Sequence, residues 1–159
     1  MGQKTSQLQL AREMISTLPA WGRWAASMRD VETPHGKVGI RQAGILWQLR
    51  YETIPPEDRS TTGIAALLGV QNSVITRAAE RLEHLGLIVR IVHEDDRRRS
   101  TIQITEAGME VSVYIENLFT HAIVDAMGNL PQQDIDDLQK SIATLANIMD
   151  KLLHAPPGS

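Results

Sequence analysis

The chain has 159 residues, 42% of them hydrophobic, with 16 Lys and Arg against 19 Asp and Glu for a net charge of −3. That length and apolar content suit one globular domain, or a small one with appended helices, and exclude a disordered chain. The absence of cysteine excludes thiol catalysis, disulfide scaffolds and cysteine zinc sites, and no signal-peptide pattern or run of roughly 18 apolar residues appears, so a cytoplasmic location without membrane contact is expected.

Residues 8–29 space Leu10, Met14, Leu18, Trp21, Ala25 and Met28 as one helix, which Pro19 and Gly22 are expected to kink or interrupt. Residues 30–39 read as a loop. Ile40 to Tyr51 reads as a mostly buried helix, ended by TIPPEDRS. Ser60 or Thr61 can cap a short helix that stops at Gly69, and a second helix runs over 71–85 after a brief turn. Strands are expected over 87–93 and 100–104, joined by the polar tip EDDRRR. Thr105 then caps a helix to about Met127, and Asn129-Leu130-Pro131 opens a last helix reaching about Leu153. The fold class that follows is mainly α with a small β-hairpin, a winged helix-turn-helix flanked by terminal helices. Its divisions are 1–39 (N-terminal helix and loop), 40–104 (winged domain) and 105–159 (C-terminal helices and tail).

Charge is split along this order. Residues 1–104 carry 14 basic and 11 acidic side chains, whereas 105–159 carry 2 and 8. A polyanion-facing part and a part facing elsewhere would produce such asymmetry. Helix 71–85 places Val74, Ile75, Ala78, Ala79, Leu82 and Leu85 on one side. Its first turns hold Gln71, Asn72, Ser73 and Thr76, short hydrogen-bonding groups without a carboxylate, followed by Arg77 and Arg81. Such groups at a helix start can reach base edges and phosphates, although a surface helix is polar outside in any case. Thr61 and Thr62, in the first turn of the preceding helix, join these candidate DNA-binding residues.

At the hairpin tip, Arg97, Arg98 and Arg99 follow Asp96. Arginine on a narrow tip suits the minor groove, with Asp96 holding the side chain extended; a solvated tip of mutually neutralising charges is the other reading. Metal binding by His93 to Asp96 is not expected, because consecutive strand residues point to opposite faces. Asp96, Arg98, Ile102, Ile104, Thr105 and Gly108 fit D-x-R-x-x-x-apolar-x-apolar-T-x-x-G, in register with Ile64-Ala65, Val74-Ile75-Thr76-Arg77, Arg81-Leu82-Glu83 and Leu85-Gly86-Leu87-Ile88. Over roughly residues 40–153 the chain resembles the MarR (multiple-antibiotic-resistance regulator) family.

That resemblance implies a homodimeric transcriptional regulator, usually a repressor, on near-palindromic double-stranded DNA. By implication helix 71–85 lies in the major groove and wing 93–99 in the minor groove, Arg98 entering it and Asp96 positioning it. The first and the last two helices would make the dimer. The family also implies a small aromatic or anionic effector in a crevice beneath the winged domain. Trp21, Trp24, Met28, Trp47 and Tyr51 are candidates for its lining, with Arg23 or Arg50 for an anion; as apolar residues at helical spacing they also suit plain core. Arg41 at the second position of helix 40–51, Gly44 inside it and the length of TIPPEDRS depart from the family pattern. The alternative function is a winged-helix module that binds a protein partner through the same surface. No cofactor is expected, and no catalytic set stands out, so the chain does not read as an enzyme.

Overall fold

The computed structural model describes residues 2–27, 30–92 and 100–154. Its elements are α1 (Gly2–Ser27), β1 (Asp30–Thr33), β2 (Gly36–Gly39), α2 (Ile40–Arg50), a 3-10 turn (Pro56–Asp58), α3 (Thr61–Leu68), α4 (Asn72–His84), β3 (Ile88–Val92), β4 (Ser100–Ile104), α5 (Glu106–Met127) and α6 (Gln132–His154). The expected mainly helical architecture with a small antiparallel hairpin is present. The chain divides into two compact units, residues 1–118 and 119–159.

Within the first unit, α3 and α4 pack on each other and α2 packs on α4. Ile45 and Leu46 of α2, Ile64 of α3, Ile75 and Leu82 of α4, Leu87, Ile88, Ile102, and Val111 and Ile115 of α5 are all fully buried. Hairpin β3–β4 runs antiparallel with Ile88 opposite Ile104 and Arg90 opposite Ile102. The amide of Ile102 also donates to the Arg59 carbonyl at 2.6 Å, which fastens β4 to the chain just before α3.

Two expectations need correcting. Residues 30–39 are a hairpin and not a loop, with Val31 opposite Val38 and Thr33 opposite Gly36. The turn closes through the Thr33 hydroxyl, which donates to the Gly36 carbonyl at 2.7 Å and accepts from the His35 amide at 3.3 Å. Gly36 stands at φ +108°, where a side chain would be strained. Val38, wholly buried, anchors the pair. Second, α1 continues through Pro19 and Gly22 without interruption. A helix loses one backbone hydrogen bond at an internal proline, and its neighbours can still carry it. A smaller shift concerns α6: Pro131 precedes the helix, its carbonyl accepting from Asp134 and Ile135.

Among the described residues, no helix is long and apolar enough to cross a membrane.

Candidate nucleic-acid interface

The interface begins with how α3 and α4 are held. The Ser60 hydroxyl caps α3 by accepting from the Gly63 amide at 3.0 Å. Gly63 has no substitute there, because a Cβ would stand 2.0 Å from the Asp58 carbonyl oxygen. α3 ends at Gly69 in the left-handed region (φ +63°), and the Val70 amide returns to the Ala65 carbonyl at 3.0 Å. This tight stop sends the chain straight into α4. Ile75, Ala78, Ala79 and Leu82 then bury one face of α4, which fixes what the other presents.

That other face carries Asn72, Ser73, Arg77, Glu80 and Arg81, all exposed, with Thr76 half-buried and Gln71 exposed just before the helix. Thr61 and Thr62 lie in the first turn of α3, half-buried and exposed respectively. The Thr76 hydroxyl donates to the Asn72 carbonyl at 2.9 Å, leaving its oxygen lone pairs to accept from elsewhere. No side chain caps the start of α4, and its first turn holds no acid. α3 and α5 differ in this respect: Ser60 caps the one, and the Thr105 hydroxyl caps the other by accepting from the Gly108 amide at 3.0 Å. Free first-turn N–H groups carry the positive end of the helix dipole and suit an anion.

The wing is held at its base by the same threonine. Its hydroxyl donates to the Gly86 carbonyl at 2.7 Å, and its amide donates to the Leu87 carbonyl at 3.1 Å. A Cβ on Gly108 would fall 2.0 Å from that Leu87 oxygen. The T-x-x-G spacing thus has a mechanical cause: Thr105 ties α5 to the start of β3, and Gly108 leaves room for the carbonyl between them. Arg90 of β3 pairs with Glu83 of α4 at 3.0 Å, a second tie between wing and helix. The expected minor-groove arginines Arg97, Arg98 and Arg99, with Asp96, lie outside the described residues.

Beside α4 runs a cleft of about 550 Å³ inside the first unit. Ala26, Ile40, Val74 and Ala78 supply apolar lining, while Arg41, Arg77, Arg81 and Asp30 supply charge. None of the expected effector aromatics lines it. Trp21 is exposed on α1 and stands edge-to-face with half-buried Trp24, centroids 5.8 Å apart. Trp47 is half-buried in α2, Tyr51 is exposed, and Met28 lies outside the described residues. Tyr51 and Arg50 instead join Glu116 of α5: the Tyr51 hydroxyl donates to one carboxylate oxygen at 2.6 Å, the Arg50 guanidinium holds the other, and it also lies 4.9 Å over the Tyr51 ring. The Tyr51 hydrogen bond, and then the Arg50 one, lower the Glu116 pKa, while the bond to Glu116 raises that of the Tyr51 phenol.

Residues 41–100 match the model of the MarR family, from the second residue of α2 to the first of β4. That stretch, 60 of the 159 residues, is similar to the domain of MarR family regulators. The whole chain has the fold of such regulators. It is similar to a MarR family protein from Bacillus stearothermophilus (TM-score 0.62, 18% identity, 95% of this chain and 99% of that one). It is also similar to a MarR transcriptional regulator from Methanosarcina mazei Go1 (0.62, 18%, 91% and 99%) and to the transcriptional regulator BldR from Sulfolobus solfataricus (0.59, 20%, 92% and 99%).

Within the first unit, the structure gathers the α3 and α4 candidates on one scaffold, and it leaves the aromatic candidates apart from the cleft. Arg41 is the residue that sequence reasoning passed over. Its signal was present as a departure from the family pattern, but only the fold brings it beside Arg77 and Arg81.

Proposed function

We propose that the chain is a homodimeric DNA-binding transcription regulator, a repressor released by a small-molecule effector, with α4 in the major groove and wing 93–99 in the minor groove. One observation carries this reading: α4 presents an uncapped, acid-free N-terminal turn, then Arg77 and Arg81, on the face opposite its buried stripe. Such a helix end can meet phosphates with its amides and base edges with Gln71, Asn72, Ser73 and Thr76. Thr61 and Thr62 are assigned to the phosphate backbone beside it, and Arg97 to Arg99 to the wing contact, with Asp96 positioning Arg98. Duplication about a two-fold axis fits near-palindromic half-sites about 10 bp apart. The dimer is supported by α6, whose apolar residues are all outside the core of the single chain.

The test is binding to the DNA immediately upstream of the protein's own gene, against a scrambled duplex, at two salt concentrations. Tight binding should prefer the upstream sequence and weaken with salt, with a slope near −0.9 per phosphate neutralised. Arg98→Ala should weaken it by at least about 1 kcal/mol; an unchanged affinity in a folded variant removes the wing assignment. Weak binding that is alike for both duplexes would instead favour a protein partner on this face.

A further inference from the structure

We propose that Arg41 of α2 is a further DNA-contacting residue, and that the cleft it shares with Arg77 and Arg81 of α4 seats the phosphate backbone beside the groove that α4 reads. The inference rests on α4 being the DNA-reading helix. Its first support is charge. The three arginines line one cleft against the single carboxylate of Asp30, in a chain whose net charge is −3. All three are exposed, and among the described residues none has an ion-pair partner. Cations drawn together without a partner repel one another, and an anion seated among them offsets that repulsion. Guanidinium forks fit phosphate oxygens two at a time.

The second support is how firmly the three are presented. Arg77 and Arg81 stand one turn apart on α4, whose opposite stripe is buried. Arg41 is the second residue of α2, a helix pinned by buried Ala43, Ile45 and Leu46. The Gln42 side chain accepts from the Gly39 amide at 2.6 Å, which fixes the start of that helix. Because α2 packs on α4, the core and not a loop sets the placement of Arg41 against the α4 pair. Groups ordered in advance lose less entropy when they bind.

The third support is position. α4 opens with Asn72 and Ser73, given to base edges under the Proposed function, and reaches Arg77 and Arg81 farther along. A helix that puts its first turn into the groove carries its later turns towards the flanking backbone. Arg41 extends that contact to a second helix. It also stands where the chain departs from the pattern of the family it resembles, so the contact is particular to this chain. Contacts to phosphate fix register and add affinity without reading sequence.

The experiment titrates the full chain with the upstream and the scrambled duplex between about 50 and 200 mM salt. Arg41→Gln should weaken both duplexes by one common factor, at least about threefold at the lower salt. The slope of log affinity on log salt should shrink by about 0.9 for each protomer bound. Arg41→Lys, which keeps the charge, should restore the slope. In the upstream duplex, neutral methylphosphonate at single positions should reveal a phosphate whose loss weakens the wild type at least about threefold and Arg41→Gln no further. An unchanged slope in folded Arg41→Gln, a loss confined to the upstream duplex, a slope that Arg41→Lys fails to restore, or the lack of any such phosphate would overturn the inference while the DNA reading stands. If the wild type binds neither duplex, the DNA reading itself fails and the role of Arg41 falls with it.

Discussion

Helices α4 and α6 follow one design and meet different fates. Both repeat apolar residues three and four apart. In α4 the stripe of Ile75, Ala78, Ala79 and Leu82 is buried against the winged core. In α6 the stripe of Ile135, Leu138, Ile142, Leu145, Ile148 and Leu152 has no buried member. An amphipathic helix is stable in proportion to the apolar face it covers. The contrast therefore assigns two kinds of stability: one that a single chain supplies to α4, and one that α6 can gain only from a second surface, which the proposed homodimer would provide.

The sharpest way to break this comparison is to truncate a side chain in each stripe. Leu82→Ala removes a fully buried side chain and should cost about 2–5 kcal/mol of unfolding free energy. That loss should be the same at every protein concentration when measured by denaturant titration. A loss below about 1 kcal/mol would mean that the α4 stripe is not core. Gly108→Ala probes the same unit through the backbone. The new methyl would meet the Leu87 carbonyl at 2.0 Å, so a destabilisation of about 1–3 kcal/mol is expected from forced displacement alone. Because α5 is tied to β3 there, duplex affinity should fall with stability.

On the other side of the comparison, Ile142→Asp places a charge in the uncovered stripe. Its residue is 55% exposed in the single chain, so the fold of one chain should tolerate it. Association should weaken by at least tenfold, about 1.4 kcal/mol, as read by sedimentation across a dilution series. The melting temperature of the wild type should rise with concentration, as it does when only the associated form is stabilised, and that of the variant should rise less. A variant that sediments as the wild type does would remove α6 from the interface.

The two regions also differ in how much of them the sequence disclosed. Helix α4, the strands of the wing and the start of α5 at Thr105 were legible because each rests on local signals: a 3.6-residue period, alternation, a capping threonine. The hairpin over 30–39 was not, since Val31 and Val38 are its only apolar pair and Pro34, His35 and Gly36 read equally well as loop. The partnership of Arg50 and Tyr51 with Glu116 joins side chains 66 and 65 residues apart, which no periodicity can reveal. The same holds for the cleft. Arg41 looked like an oddity of α2 until the packing of α2 against α4 set it beside Arg77 and Arg81. Residues that pair across the chain carry their signal in the fold, and those are the ones that give this site its chemistry.

The cluster at Glu116 gives the smallest expected effect and the most specific one, because its size depends on pH. Glu116 is shifted down by the Tyr51 hydroxyl and by Arg50, so its contribution to stability is present above the ordinary glutamate value, about 4.3. It is lost as pH falls through the lower folded-state value. Tyr51 is shifted up by Glu116, so its contribution is present below the ordinary tyrosine value, about 10, and is lost as pH rises through the higher folded-state value. The tie between α2 and α5 is therefore at full strength across neutral pH and fades at both ends. Glu116→Gln keeps the shape and removes the charge. With the carboxylate side chain 38% exposed, water screens the pair, and the difference from wild type at pH 7 should be no more than about 1 kcal/mol. That difference should shrink towards zero in acid, where wild-type Glu116 is itself neutral. Unfolding measured at pH 7 and again in acid beneath the lowered folded-state value decides it: a difference that persists there would mean that the substitution acts through packing and not through the charge.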